Sequence, residues 1–356
     1  METLVSSLDL LRGRRVLITG HTGFKGAWLS KWLIAAGAEV FGIALPPSTE
    51  PSLYSELHLS ERMRSTTCDV RDAHKLATQF HAIQPEVVFH LAAQAIVKSS
   101  YRDPVATFTT NVSGSVNVLD AVRRCDSTRA LVLITSDKCY RNLELDRGYH
   151  EEDELGGTDP YSASKAAAEL IYHSYAASFL NEKPMLGVAS ARAGNVIGGG
   201  DWSADRLIPD CVRALESGQP IELRKPQATR PWQHVLEPLS GYIMLAGNLL
   251  AGEIPSGESW NFGPPEHDVH TVFDVANRCV KVWGSGMVTV NDSPTAIREA
   301  TLLQLNCTKA SLQLGWKPRW DYQETVERTM MWYRLRREGR DVAELVANDI
   351  KHYLTR

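Results

Sequence analysis

At 356 residues, 43% hydrophobic and 22% charged, the chain has the size and composition of a globular protein with room for two lobes and one large core. Its formal net charge of −4 gives no electrostatic reason to bind nucleic acid, so any anion site has to be a local cluster of Arg and Lys. Six scattered cysteines with no Cys-x-x-Cys pair exclude a zinc ribbon. No apolar run reaches the roughly 20 residues of a membrane span, and Met1–Arg15 lacks a signal-peptide core, so a cytoplasmic protein with no metal site is expected.

In chain order, Arg15–Thr19 predicts a first strand that runs into Gly20-His21-Thr22-Gly23-Phe24-Lys25-Gly26. A helix follows, with Ala27, Leu29, Trp32 and Leu33 on its apolar positions and Gly37 as its stop. Glycines three apart at a strand-to-helix turn let a backbone approach a pyrophosphate, and the helix N-terminus offers free N–H groups to it. A tight turn without ligand is the plain alternative; the strand before and helix after favour a dinucleotide. The second strand, Glu39–Leu45, ends in Pro46-Pro47-Ser48, where an acid is expected to hold the adenosine ribose. No Arg cluster stands there for a 2′-phosphate either, which favours NAD over NADP. Lys25 is placed to meet a phosphate or to lie solvated.

Asp69-Val70 ends a third strand where it can reach an adenine, and Asp72 predicts an N-cap for a helix through Phe80 and Ile83. Glu86–Gln94 reads as a fourth strand closing on the small residues Ala92 and Ala93, with His90 a satisfied core histidine. Pro104 opens a long helix that carries Asn111 and Gly114. Leu131–Ile134 predicts a fifth strand ending in Thr135-Ser136-Asp137-Lys138, and Cys139 reads as a small buried packing residue. Strand–helix alternation over this stretch means α/β, a doubly wound parallel sheet.

Pro160-Tyr161-Ser162-Ala163-Ser164-Lys165 starts a helix, and residues four apart share a face, so Tyr161 and Lys165 point the same way. A free phenol, with a pKa near 10, is a poor base; an ammonium beside it favours the phenolate, which can then take a proton from a sugar hydroxyl. Tyr-x-x-x-Lys alone is a weak signal. Ser136, Asp137 and Lys138, at the carboxyl end of a parallel strand, give it company.

After a strand at Leu186–Arg192 the rhythm changes. Helices at 206–216, 236–250, 272–283, 309–314, 322–337 and 342–354 surround one short strand, Ile221–Arg224, and a loop at 229–235. Residues 1–192 therefore read as a dinucleotide-binding domain and 193–356 as a smaller, mostly helical substrate lobe, with a return of the chain to the first domain left open. Arg206, Arg230 and Arg298 are the basic candidates there for a diphosphate, beside Gly-, Trp- and Pro-rich loops.

With these residues in hand the chain resembles the extended short-chain dehydrogenase/reductase superfamily and, within it, the CDP-glucose 4,6-dehydratases. The stretches that carry the likeness are Gly20–Leu29, Thr135–Lys138, Arg192–Trp202 and Arg230–Glu237. The resemblance implies NAD on the glycine turn (Gly20, Thr22, Gly23, Phe24, Lys25, Gly26), near Asp69, Val70, Ala92 and Ala93, and contacted by Tyr161 and Lys165. It implies CDP-glucose between the lobes, with Asn195, Arg206 and Arg230 on its diphosphate, and a homo-oligomer, dimer or tetramer. The implied chemistry is a redox-neutral dehydration. Tyr161, helped by Lys165 and Ser136, takes the 4-hydroxyl proton as C4 is oxidised; Asp137 protonates the departing 6-hydroxyl; hydride returns to C6. The related dTDP-glucose dehydratases carry Glu after the Asp, where this chain has Lys138. Lys138 is the candidate C5 base, the alternative being that it orients substrate or a water while another group takes the proton.

Two rival activities share the fold. A 4-epimerase needs no acid–base pair beside Ser136, so Asp137-Lys138 weighs against it, and a dTDP- or GDP-sugar dehydratase differs only in the nucleotide. A non-catalytic NAD-sensing protein is a third reading, disfavoured by the intact Ser136, Asp137, Tyr161 and Lys165.

Overall fold

The structure, a computed structural model, describes residues 2–266, 268–291 and 302–356. Six strands of its central sheet come in succession: β1 (Arg15–Thr19), β2 (Glu39–Ala44), β3 (Arg64–Thr67), β4 (Val87–His90), β5 (Ala130–Ile134) and β6 (Gly187–Ala193). A seventh, β7 (Glu258–Phe262), returns from the C-terminal half and pairs with β6, Trp260 opposite Ala191. The order is β7-β6-β5-β4-β1-β2-β3, and every pairing in the sheet is parallel. The chain winds outward one way through β1-β2-β3 and then the other way from β4. This reversal opens a crevice at the carboxyl edge, between β1 and β4.

Alternation along each strand feeds two cores. On β1, Val16 and Ile18 join Trp28, Trp32 and the helix Leu236–Ala251 on one face, while Leu17 joins Phe41, Val88 and Leu131 on the other. Both faces are covered, which is why the strands read as continuous apolar runs. The N-terminal helix Glu2–Leu11, not expected from sequence, lays Leu4, Leu8 and Leu11 onto this first core. It packs so closely on Leu236–Ala251 that a Cβ at Gly247 would stand 2.4 Å from Ser7 Oγ.

Two other expectations need amendment. The helix from Pro104 is preceded by a short one, Val97–Arg102, and is interrupted by a wide π turn at Thr109–Ser113 before it resumes at Gly114–Arg124. That turn presents Asn111, whose side chain accepts from Gln94 N (2.8 Å) and donates to Gln94 O (3.0 Å) and Ser164 Oγ (2.9 Å). The segment 229–235, expected as loop, holds two short ladders: Thr229–Arg230 against His270–Thr271, and Gln233–His234 against Val196–Ile197. These ladders fasten it beside the chain that leaves β6.

Candidate active site

The carboxyl edge of the sheet opens into a cleft of about 1720 Å³ that runs from the glycine turn to the short strand Ile221–Leu223. Single-ligand pockets run to about 1,000 Å³, so this one has room for two ligands end to end. Every candidate residue from the sequence lines it except Arg298, which lies outside the described residues.

At one end the backbone leaves space that only glycine allows. Gly20 adopts φ +76°, and a Cβ there would stand 2.7 Å from Ala92 N; a Cβ at Gly26 would stand 2.2 Å from Gly20 O. The helix Phe24–Ala35 starts here with Gly23 as its N-cap and no side chain covering the free N–H groups. Such a cradle fits the pyrophosphate of a dinucleotide. Beside it, Ala44, Leu45, Pro46 and Ser48 line the cleft without an acid, as expected. Asp69 is there too, but Arg71 holds it through Nη2 (2.6 Å) and Nε (2.9 Å), which keeps its carboxyl below the usual range.

The middle of the cleft is where three strand ends and one helix meet. Asp159 caps the helix Pro160–Tyr175, accepting from Ser162 N (3.0 Å), with Pro160 in its first turn. That start aims Tyr161 and Lys165 into the cleft together. Ser136, after β5, caps the turn Asp137–Cys139, hydrogen-bonds Asp137 Oδ1 (2.9 Å) and lies within reach of Tyr161. Asp137 is fully buried, and its Oδ2 has no partner among the described residues. A Cβ at Gly194 would come within 2.1 Å of that oxygen, so glycine at 194 is what leaves it room. Lys138 Nζ sits 3.2 Å from Asp137 Oδ1 and 3.5 Å from Asn195 Oδ1. Arg206 pairs with Asp201 (2.9 Å), and Arg230 Nη1 donates to Thr229 O (2.7 Å).

Burial dominates the titration of the pair. It pushes the Tyr161 phenol up to about 12, against a lowering hydrogen bond from Ser136. Lys165 is itself drawn down to about 8 by burial, with Glu169 pulling the other way. Lys25 falls to about 7, through burial and then the charges of Lys165 and Arg206. It therefore lies near Lys165 and Arg206 in the cleft.

Sequence reasoning missed what lies behind this wall. Glu169, one turn beyond Lys165 and fully buried, accepts hydrogen bonds from Thr135 on the β5 side, Ser190 (2.8 Å) and Arg192 (2.7 Å) on β6, and Ser259 (3.1 Å) on β7. One carboxylate thus ties the Tyr161 helix to three strands. A glutamate four residues after the Lys was the only linear signal. Cys139 is buried with its thiol pushed up, in keeping with packing, and His90 bonds Thr19 (2.7 Å) and Ser115 (3.1 Å). Among the described residues no group of three or more His, Cys, Asp or Glu side chains is placed for a metal ion, and no helix is long and apolar enough to cross a membrane.

A doubly wound sheet with a glycine turn, a Tyr-x-x-x-Lys helix and a second lobe closing the cleft defines the extended short-chain dehydrogenase/reductase class that includes sugar-nucleotide epimerases and dehydratases. The chain belongs to the GDP-mannose 4,6 dehydratase family, whose model matches residues 17–329. It is 46% identical over 348 residues to the CDP-glucose 4,6-dehydratase of Salmonella typhimurium, covering 97% of both chains. Its fold resembles the dTDP-glucose 4,6-dehydratase of Streptomyces venezuelae, solved with NAD and TYD bound (TM-score 0.77, 23% identity, 92% of this chain and 99% of that one). It is also similar to the UDP-glucose 4-epimerase of Thermus thermophilus in complex with NAD (TM-score 0.75, 26% identity, 90% and 99%).

Proposed function

We propose that this protein is an NAD-dependent hydro-lyase that converts CDP-D-glucose to CDP-4-keto-6-deoxy-D-glucose. The observation that carries this is Asp137: a buried carboxylate with one oxygen unpartnered, beside Lys138 and in the same cleft as Ser136 and Tyr161. A 4-epimerase has no use for such an acid. The near-full-length likeness to the Salmonella enzyme supports the choice of nucleotide.

The glycine cradle, with Asp69, Val70, Ala92 and Ala93, would hold NAD, Tyr161 and Lys165 completing its site; bound there, it supplies reversible oxidation at C4, recovered at C6. Tyr161, in reach of Ser136, takes the 4-hydroxyl proton, and the positive Lys165 stabilises the phenolate that forms. The 4-ketone makes the C5 proton acidic. With the proton of the Lys138–Asp137 pair resting on Asp137, neutral Lys138 would accept the C5 proton and Asp137 would give its own to the departing 6-hydroxyl, so that water leaves and the pair is restored on proton return. Asn195, Arg206 and Arg230 hold the diphosphate, which pairs with guanidinium forks. The division near residue 192 then separates the cofactor part from the substrate part, with β7 closing the first from the second. Exposed Tyr101, Val105 (71%), Leu170 (60%) and Phe179 on neighbouring helices support a homo-oligomer, which light scattering would size.

The purified holoenzyme is to be incubated with CDP-, dTDP- and GDP-hexoses in deuterated water. The expected result is a CDP-linked 4-keto-6-deoxy product carrying solvent deuterium at C5, with no NADH accumulating. NADH rising in step with product, or a 4-epimer, would overturn the proposal. Lys138→Ala is expected to stop deuterium uptake at C5 while C4 oxidation continues; normal uptake would assign that proton to another group.

A further inference from the structure

The cleft continues past Tyr161, Arg206 and Arg230 to an end built by the strand Ile221–Leu223 and the residue that follows it. Side chains alternate here. Ile221 and Leu223 are each 3% exposed and belong to the core, with Leu223 also touching the cleft, while Glu222 and Arg224 are exposed and line it. Glu222 is on the strand and Arg224 at the bend that ends it, and both belong to the lining of the one cleft. They bring an acceptor-only group and a donor-only group to this end of it.

Glu222 differs from most of the other carboxylates of the cleft, since Asp69, Asp137, Glu154, Asp201, Asp205 and Asp210 each pair with a cation. The cleft is rich in cations (Lys25, Lys138, Lys165, Arg206, Arg230), as a diphosphate requires, and a carboxylate there repels such a ligand. Among the described residues the Glu222 side chain makes no ion pair or hydrogen bond, its backbone being paired opposite Thr289, and Arg224 adds its field to that of Lys98 around Asp205. A carboxylate is useful at this end only to a ligand group that donates. The pyrimidine is the part of a sugar nucleotide that lies beyond the diphosphate from the sugar. Cytosine presents a 4-amino donor beside the N3 acceptor; uracil and thymine present the reverse, an O4 acceptor beside an N3–H donor.

Building on the cytidine-nucleotide reading above, we propose that Glu222 and Arg224 read the base, Glu222 accepting from the 4-amino group of cytosine and Arg224 donating to N3. Both contacts turn repulsive with uracil. The pair is thus a selectivity device, excluding the wrong nucleotide as much as holding the right one.

CDP-glucose and UDP-glucose differ only at this edge, so the ratio of their kcat/KM values in the holoenzyme is the readout. In Glu222→Gln the amide can donate to O4, and in Arg224→Met the clash with N3–H is gone. Each change is expected to narrow the preference for CDP-glucose by about tenfold. Gains with UDP-glucose should accompany losses with CDP-glucose. Parallel losses with both substrates would assign the two side chains to ribose or phosphate and overturn the proposal. So would an unchanged ratio in both variants, which leaves the cytidine reading standing. Equal turnover of the two nucleotides by the unaltered protein would refute that reading first, and the base-reading pair with it.

Discussion

Among the described residues two glutamates are buried completely, one on each face of the sheet, and their carboxyls are shifted in opposite directions. Glu169, on the helix that carries Tyr161, has Arg192 2.7 Å away; burial pushes its carboxyl up, but the guanidinium and the hydroxyls of Thr135 and Ser190 outweigh this and hold it at about 2. Glu237, on the helix Leu236–Ala251, is met by neutral donors: Tyr353 OH (2.7 Å) and the amides of Trp320 (2.9 Å) and Arg319 (3.0 Å). There burial wins, and the carboxyl rises to about 7. Equal burial with unequal partners gives opposite outcomes, because neutral dipoles do not offset the desolvation that a permanent cation does. The functions divide in the same way. Glu169 is anchored beneath Tyr161 and Lys165, while Glu237 clamps the C-terminal helix Val342–Thr355 and the turn before Tyr322 onto the core.

The hardest test of this contrast removes each carboxylate. Glu169→Ala strands Arg192 as a buried, uncompensated charge and is expected to cost about 3–5 kcal/mol in urea unfolding. Glu237→Ala leaves only neutral donors unmet and should cost about 1–3 kcal/mol. Equal losses would break the comparison. Next comes the sign of the pH dependence. Glu237 has a folded value near 7 against 4.5 for the free group, so between those pH values the folded chain binds more protons and stability falls as pH rises. Glu237→Gln should remove that slope and be more stable than the parent above pH 7 by up to about 3 kcal/mol. Glu169 behaves in the opposite sense: its contribution is whole above pH 4.5 and is lost as pH falls toward about 2. A urea midpoint followed across pH 3–8 for both Gln variants separates them. The smallest effect is on activity. Without the charge of Glu169, Lys165 should titrate below its value near 8, moving the basic limb of kcat/KM to lower pH in Glu169→Gln. Glu237→Gln should leave that limb in place, and a shift there would show that the two regions are coupled.

Much of the site was legible because its signals are local. The strand-turn-helix at Gly20–Gly26, the cap at Asp72 and the four-residue spacing of Tyr161 and Lys165 all act within one or two turns of chain. The doubly wound sheet followed from the alternation of such segments. β7 was not legible: Glu-Ser-Trp-Asn-Phe carries polar residues that become favourable only beside β6, where Ser259 meets Glu169 and Asn261 meets Tyr140. The ladders within 229–235 escaped notice for the same reason, since each strand is two residues long and its partner lies some 37 to 42 positions away.

By itself, then, the sequence determined the fold class, the glycine cradle and which residue types face the cleft, because backbone sterics, capping and periodicity are set by near neighbours. Only the tertiary structure decided how those groups are charged and what they touch. It brought Thr135, Glu169, Arg192 and Ser259 to one point from four elements, sent Lys25 in among Lys165 and Arg206, and stood Gly194 against Asp137. Desolvation and Coulomb energies depend on distances through space, and neighbours along the chain do not reveal them.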